Sequence, residues 1–223
     1  QGYRGFRSVS RTTSKDFLHW TDPVAMTFGN TPHEHIYTNQ TTPYFRAPHI
    51  YVGVAARFMP GRKILSDEDA ERLQVAPHYF GDCSDAVLLT SRGSNQYDRT
   101  FMESFIRPGL GLENWVSRTN YPALGIVPTS ESEMSVYLQK NYGQPTAYLQ
   151  RYHLRLDGFS SVRAGYVPGE FVTKLVQFPD ANLGSSRLML NLSTSAAGSI
   201  KVELQTSGRG SLLLPRFFSG VLC

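Results

Sequence analysis

Cysteine is scarce: Cys83 and Cys223 are the only two in 223 residues, too few for a disulfide framework, so cysteine usage leaves the compartment open. Long apolar runs are missing as well. None reaches the roughly 18 residues that a membrane-spanning helix requires, and no membrane partner is expected. Charge is sparse and mixed, with 18% charged residues and a net charge of +4. Lys and Arg are scattered among acids rather than gathered in a block, which argues against a nucleic-acid partner. There is no phosphate loop, nucleophile elbow or dinucleotide fingerprint, and no cofactor is expected. The chain opens at Gln1, with neither an initiator Met nor a signal peptide.

What is present is turn chemistry and β-rich sequence. The 19 glycines, 13 prolines and 12% aromatic residues describe an ordered, strand-rich protein long enough to bury a core. Ser84 to Pro108 reads as strand, turn, strand: Ala86 to Thr90 is a short apolar run, Gly93-Ser94-Asn95 is a turn, and Arg99 to Ile106 resumes an extended pattern. This hairpin recurs. Thr13-Ser14 followed by Trp20 matches Thr90-Ser91 followed by Tyr97, and Leu154 to Val162 is a looser copy.

In chain order, Tyr3 to Thr13 alternates like a strand, with Phe17 and Trp20 as apolar anchors, and Tyr44 to Phe58 carries two β-rich runs around Pro48 and Gly53. Ser66 to Leu73 is a short helix, capped by Ser66 and acidic in its first turn, inside an insertion at 60–82. Ala123 to Val127 and Met134 to Tyr137 are strands about a Ser-rich turn. From Glu170 the pattern changes: EFVTKLVQF, SSRLMLNLS and SIKVELQ read as three alternating strands, and Ser211 to Cys223 is an apolar tail with no evident partner.

The stretches SKDFLHWTDP, PYFRAPHIYVG, SDAVLLTSRG, the IRPG turn and LDGFSSV resemble the five-bladed β-propeller glycoside hydrolases, the group containing arabinanases, β-xylosidases and invertases. RLMLNLSTSAAGSIKVEL resembles the β-sandwich appended to such propellers. The resemblance implies an all-β fold, with residues 1–168 forming about two and a half blades and residues 169–223 starting a β-sandwich module. A closed wheel of five blades needs on the order of 200 to 250 residues, so a C-terminal piece of a longer protein is implied. By the same analogy Thr42 to Ile50 and Asn120 to Val127 are innermost strands of consecutive blades.

Such enzymes work with two carboxyl groups across the scissile bond, some of which the resemblance implies lie upstream of Gln1. The Glu-small-Pro-His motif that carries the general acid in the arabinanase-like group is matched here by Arg46-Ala47-Pro48-His49, and Arg cannot donate a proton at neutral pH. Among the chain's own carboxylates, Asp85, Glu103, Glu133 and Asp157, the candidates for an acid/base pair or for hydroxyl acceptors are Asp85 and Glu103. The alternative makes Glu103 a salt-bridged surface residue and Asp85 a turn residue. Asp157 reads as a turn former.

Carbohydrate recognition needs flat aromatic faces and Arg or Asn for hydroxyls. Two loops carry that mixture: one with Tyr37, Asn39, Tyr44 and Arg46, the other with Arg107, Trp115, Arg118 and Asn120, and His49 just beyond the first is a further substrate-binding candidate. Trp115 and Tyr44 can instead fill the space between blades. His33 and His35 would project to one side of a strand, but lack a third ligand, and no metal is expected. The expectation is a glycoside hydrolase-like protein acting on a carbohydrate. The alternative is a non-catalytic carbohydrate-binding propeller, with a purely structural propeller as a third reading.

Overall fold

The β-branched and aromatic residues that crowd the middle of the chain favour a pleated, half-buried backbone, and strands dominate. The computed structural model describes residues 2–99, 102–176, 188–205 and 216–218. In chain order the elements are β1 (Gly2–Tyr3), β2 (Phe6–Arg7), β3 (Ser10–Arg11), β4 (Val24–Ala25), β5 (His35–Thr38), β6 (Thr42–Tyr44), β7 (Ala47–Met59) and α1 (Asp67–Arg72). There follow β8 (Cys83–Ser91), a 3-10 turn at Leu112–Asn114, β9 (Tyr121–Pro122), β10 (Val127–Pro128), β11 (Glu133–Lys140), β12 (Tyr148–Arg155), β13 (Ile200–Val202) and β14 (Arg216–Phe218). The chain is all-β, and it divides into two units, Gln1–Leu156 and Asp157–Cys223.

Two antiparallel sheets of the same construction make up most of the first unit. In sheet one β8 lies along β7 from Tyr51↔Ser91 to Met59↔Cys83. The opposite edge of β7 is shared by β6 and β5, which pair with its two ends. In sheet two β12 lies along β11 from Glu133↔Arg155 to Lys140↔Tyr148, and the opposite edge is shared by β10 and β9. Each first strand is thus broken in the middle, at 39–41 and at 123–126, where Gln40 (φ 48°) and Gly125 (φ 90°) take left-handed backbone. Gly53 of β7 faces the first break, and a Cβ there would meet the Asn39 carbonyl oxygen at 2.5 Å, so only glycine lets the two backbones approach.

Sheet one is covered on both faces. Ala55, Val87 and Leu89 pack with Met26, Phe28, Ile36 and Tyr97, while Val54 and Ala86 on the other face pack with Val136 and Leu138 of sheet two. A third cluster joins Leu65, Ala70 and Val75, around α1, to Val116. As expected, α1 is capped by Ser66, whose side chain accepts from the Asp69 N–H.

Several expectations need correction. β8 takes β7 as its partner along nine positions; residues 99 and 102–106 form no strand and meet β8 at the isolated bridge Ala86↔Ile106 and through Ser104 on Asp85, with Thr90↔Asp98 just before them, while residues 100 and 101 of the expected strand lie outside the described residues. Arg99 and Ser104 instead engage the carboxylates of Glu34 and Asp85. Tyr3 to Thr13 is not one strand, since Arg4 (φ 51°) and Gly5 (φ 84°) reverse the chain in a tight turn. Phe17 and Trp20 are 82% and 52% exposed and pack on each other rather than anchoring a core. Thr42 to Ile50 is not a single strand, because the chain turns back after Tyr44. In the second unit, 170–176 and 188–193 form no strand; residues 177–178 and 185–187 of those expected strands lie outside the described residues. Alternation supplies a face but not a neighbour, and a strand without a neighbour does not persist. SIKVELQ does pair: Ile200–Val202 lies antiparallel to Arg216–Phe218, in the tail that lacked a partner.

Candidate functional site

Asp85 sits on β8 directly across from Arg57 on β7, and the register makes a bidentate pair: Arg57 Nε donates to Oδ1 at 2.8 Å and Nη2 to Oδ2 at 2.6 Å. The Ser104 hydroxyl also donates to Oδ2. On its other side Arg57 Nη1 donates to Glu34 Oε1 and to the Met102 carbonyl, both at 2.9 Å, and Arg99 Nη1 donates to the remaining oxygen of Glu34. Two acids and two guanidiniums, all less than a quarter exposed, therefore balance one another. The Asp85 hydrogen bonds hold Arg57 even more firmly protonated than usual. Glu103 is placed differently. It adjoins Ser104 in sequence, but its side chain is 81% exposed and meets Arg107 Nη2 at 3.3 Å. Glu34, flanked by two histidines, was not among the carboxylates singled out in the sequence.

A second cluster forms where the two sheets meet their connections. The Arg118 guanidinium lies 5.1 Å from the Tyr79 ring centre, 5.6 Å from that of Tyr142 and 5.8 Å from that of Tyr37. Its Nη1 donates to the Tyr142 and Tyr79 hydroxyls at 3.3 and 3.5 Å. Arg7 lies over the other neighbours of this face, 5.0 Å from the Tyr37 ring centre and 5.1 Å from that of Phe58. Tyr121 closes the group, its ring 5.3 Å from Tyr37. The hydrogen bond from Arg118 holds the Tyr142 phenol below its ordinary range, whereas the bond to Tyr142 pushes Tyr79 up. Burial raises Tyr121.

The local chain is built to hold Arg118 there. Its own backbone is left-handed (φ 62°), as is that of Asn120 (φ 68°), a conformation that costs a residue with a Cβ about 1–2 kcal/mol. Neighbouring bonds compensate: Ser117 N–H donates to the Tyr79 carbonyl at 2.7 Å, and the Tyr142 N–H to Thr119 Oγ1 at 3.0 Å. Asn120, fully buried, donates to the Ser84 and Asn114 carbonyls at 3.0 and 3.2 Å and accepts from Lys140.

The expected sugar contacts therefore separate. Tyr37, on β5, and Arg118, in the loop before β9, meet in one cluster, while Asn120 is an internal brace behind it. Trp115 packs in the cluster around α1, its Nε1 donating to the Gly109 carbonyl at 3.0 Å. Tyr44 is buried with its hydroxyl 3.6 Å from Met134 Sδ. These two fill space between elements. Asn39 lines a cleft of about 360 Å³ with Ser10, Thr41, Tyr51 and Asn95, whose walls do not include Arg118. Arg46, His49 and Arg107 are exposed. His33 and His35 do share a side, both against the Phe6 ring, at 5.8 and 5.1 Å. Among the described residues no cluster of three metal-ligating side chains occurs, and no helix is long and apolar enough to cross a membrane. Tyr79 and Tyr142 were missed in the sequence, since they lie in segments that read only as an insertion and a turn. Comparison of the chain with protein-family models, curated proteins and solved structures finds no match.

Proposed function

We propose that the protein binds carbohydrate at the Tyr37–Arg118 face, and that its two sheets are successive blades of a β-propeller of the glycoside hydrolase type. The observation that carries this reading is the meeting of Tyr37 with Arg118 and three further tyrosines. Tyrosine rings offer flat apolar faces for the C–H side of a sugar, and phenols and guanidinium offer hydrogen bonds to its hydroxyls. The blade reading is supported by two antiparallel meanders of the same order, packed face to face through Val54, Ala86, Val136 and Leu138. On it, the pair β13–β14 belongs to a trailing β-sandwich.

Binding of the 223-residue chain to a glycan array tests the reading. Binding that falls at least tenfold in Tyr37→Ala supports it, and a chain that retains no glycan at all defeats it. Hydrolysis is a second reading, favoured by one observation: Glu103 presents an exposed carboxylate one residue from Ser104, which is bonded to Asp85. It requires turnover of a chromogenic glycoside that Glu103→Gln abolishes while binding survives.

A further inference from the structure

Among the described residues, the cations on the tyrosine face have no acid in ion-pair contact. Arg7 donates no side-chain hydrogen bond to any described residue, and its guanidinium rests only on the Tyr37 and Phe58 rings. Arg118 engages its neighbours through Nη1 alone, which leaves the Nε and Nη2 edge, the fork that matches a pair of anionic oxygens. Among the described residues, no carboxylate lies within ion-pair distance of either group. One acid acts on this cluster from a distance, Asp82, felt by Tyr121, and its carboxylate accepts from the Gly61 N–H at 2.7 Å. Elsewhere in the unit Arg72, Arg99, Arg107 and Arg151 each pair with an acid and Arg57 pairs with two.

We infer that the Tyr37 face selects an acidic sugar, its anionic oxygens held between Arg7 and Arg118 while the ring lies against the tyrosines. This rests on the carbohydrate reading and names the substrate class of that site. Both guanidiniums lie over the Tyr37 ring, at 5.0 and 5.8 Å from its centre, so a sugar lying against that ring meets two cations bordering it. Their planes are already ordered by aromatic packing, which lowers the ordering cost of binding. The anion can be a uronic acid carboxylate or a sulfate ester, which offer the same oxygen pair.

Calorimetric titration of the 223-residue chain with tetragalacturonate, its methyl-esterified counterpart and a neutral galactose tetrasaccharide decides the matter, with a sulfated galactose tetrasaccharide as the fourth probe. The acidic probes are expected to bind about tenfold or more tighter than the uncharged ones at low salt, with the gap narrowing as salt is raised. The tighter of the two acidic probes identifies the anion. The exposed Arg7→Gln is expected to erase most of the gap while leaving neutral-sugar binding in place, and Arg118→Gln to erase the gap and weaken neutral-sugar binding as well. Because Arg7 is exposed, its variant remains informative even if Arg118→Gln loosens the loop. Equal binding of charged and uncharged probes overturns the inference and leaves the carbohydrate reading standing. Tighter binding of a single-stranded oligonucleotide than of any acidic glycan overturns the inference too, and no binding of any glycan removes both.

Discussion

Sheet one and sheet two share an architecture but handle buried charge in opposite ways. In sheet one Arg57 and Asp85 face each other across β7 and β8, and Glu34 and Arg99 complete the balance. In sheet two the last residue of β11, Lys140, is 2% exposed and its ammonium donates to a neutral amide oxygen, that of Asn120. The sheets also differ in their coverings. β8 is buried at nearly every position, whereas β12 alternates between exposed and half-buried. The lesson is that a strand covered on both faces can carry a charge only if the neighbouring strand supplies its partner in register. A charge at the end of a sheet can make do with one dipole.

The largest effect is expected from breaking the matched pair. Asp85→Ala leaves Arg57 buried with one acid instead of two, and removal of one partner of a buried pair costs about 3–5 kcal/mol. Urea unfolding of the variant checks this. A loss below about 1 kcal/mol would place the pair with surface salt bridges instead.

Next comes the tie between the sheets. Asn120 joins β8, through the Ser84 carbonyl, to β11, through Lys140. Asn120→Ala removes its hydrogen bonds, leaves carbonyls without a donor, and keeps a Cβ in left-handed backbone. A loss of roughly 3 kcal/mol is expected in the same unfolding measurement. Asn120→Gly, which relieves the backbone, should recover about 1 kcal/mol of it.

The connections between second and third strands contrast as well, and the site depends on their contact. In sheet one the connection is 60–82 and carries α1; in sheet two it is 141–147. They meet where the Ala76 N–H donates to the Gly143 carbonyl at 2.8 Å and Tyr79 packs on Tyr142 at 5.0 Å. Gly143 has φ 70°, and a Cβ there would lie 2.8 Å from Tyr79 Cδ2. Gly143→Ala is expected to cost about 1–2 kcal/mol and to weaken glycan binding several-fold by moving Tyr79 off Arg118. A thermal melt and a titration together check it.

Sequence made some of this legible and hid the rest for physical reasons. α1 could be read because its cap and acidic first turn are local, and so could β8, whose Ala86 to Thr90 run is apolar through being covered on both sides. The partner of β8 could not, because pairing is nonlocal and such a run accepts a neighbour on either edge. Tyr37 and Arg118 were readable as residue types suited to sugar, yet their meeting depends on the long connection reaching sheet two. Trp115 and Tyr44 are of the residue types of a sugar platform, and the sequence could not show that Tyr44 is buried or that Trp115 lies half-buried against the cluster around α1. Asp85 carried the right chemistry for catalysis, and nothing in its own segment foretold that Arg57, 28 positions earlier, would take both its oxygens.

The smallest effect concerns the unmatched charge. Burial lowers the Lys140 pKa from its ordinary 10.5 despite the opposing pull of Glu113. The unfolded chain therefore binds more protons than the folded one between the lowered value and 10.5, and stability rises with pH across that window. Below it the buried ammonium is a cost; above 10.5 the cost is gone. Lys140→Met removes the charge and keeps the apolar stem, at the expense of the donor to Asn120, so the net change near neutral pH is expected to stay within about 1 kcal/mol. The signature lies in the slope. Unfolding free energies of the parent chain measured from neutral pH up to about 10 should gain on those of Lys140→Met as pH rises, because only the parent sheds the penalty. Parallel curves would mean that the ammonium is as well compensated by one amide oxygen as Arg57 is by two carboxylates, and the contrast between the sheets would disappear.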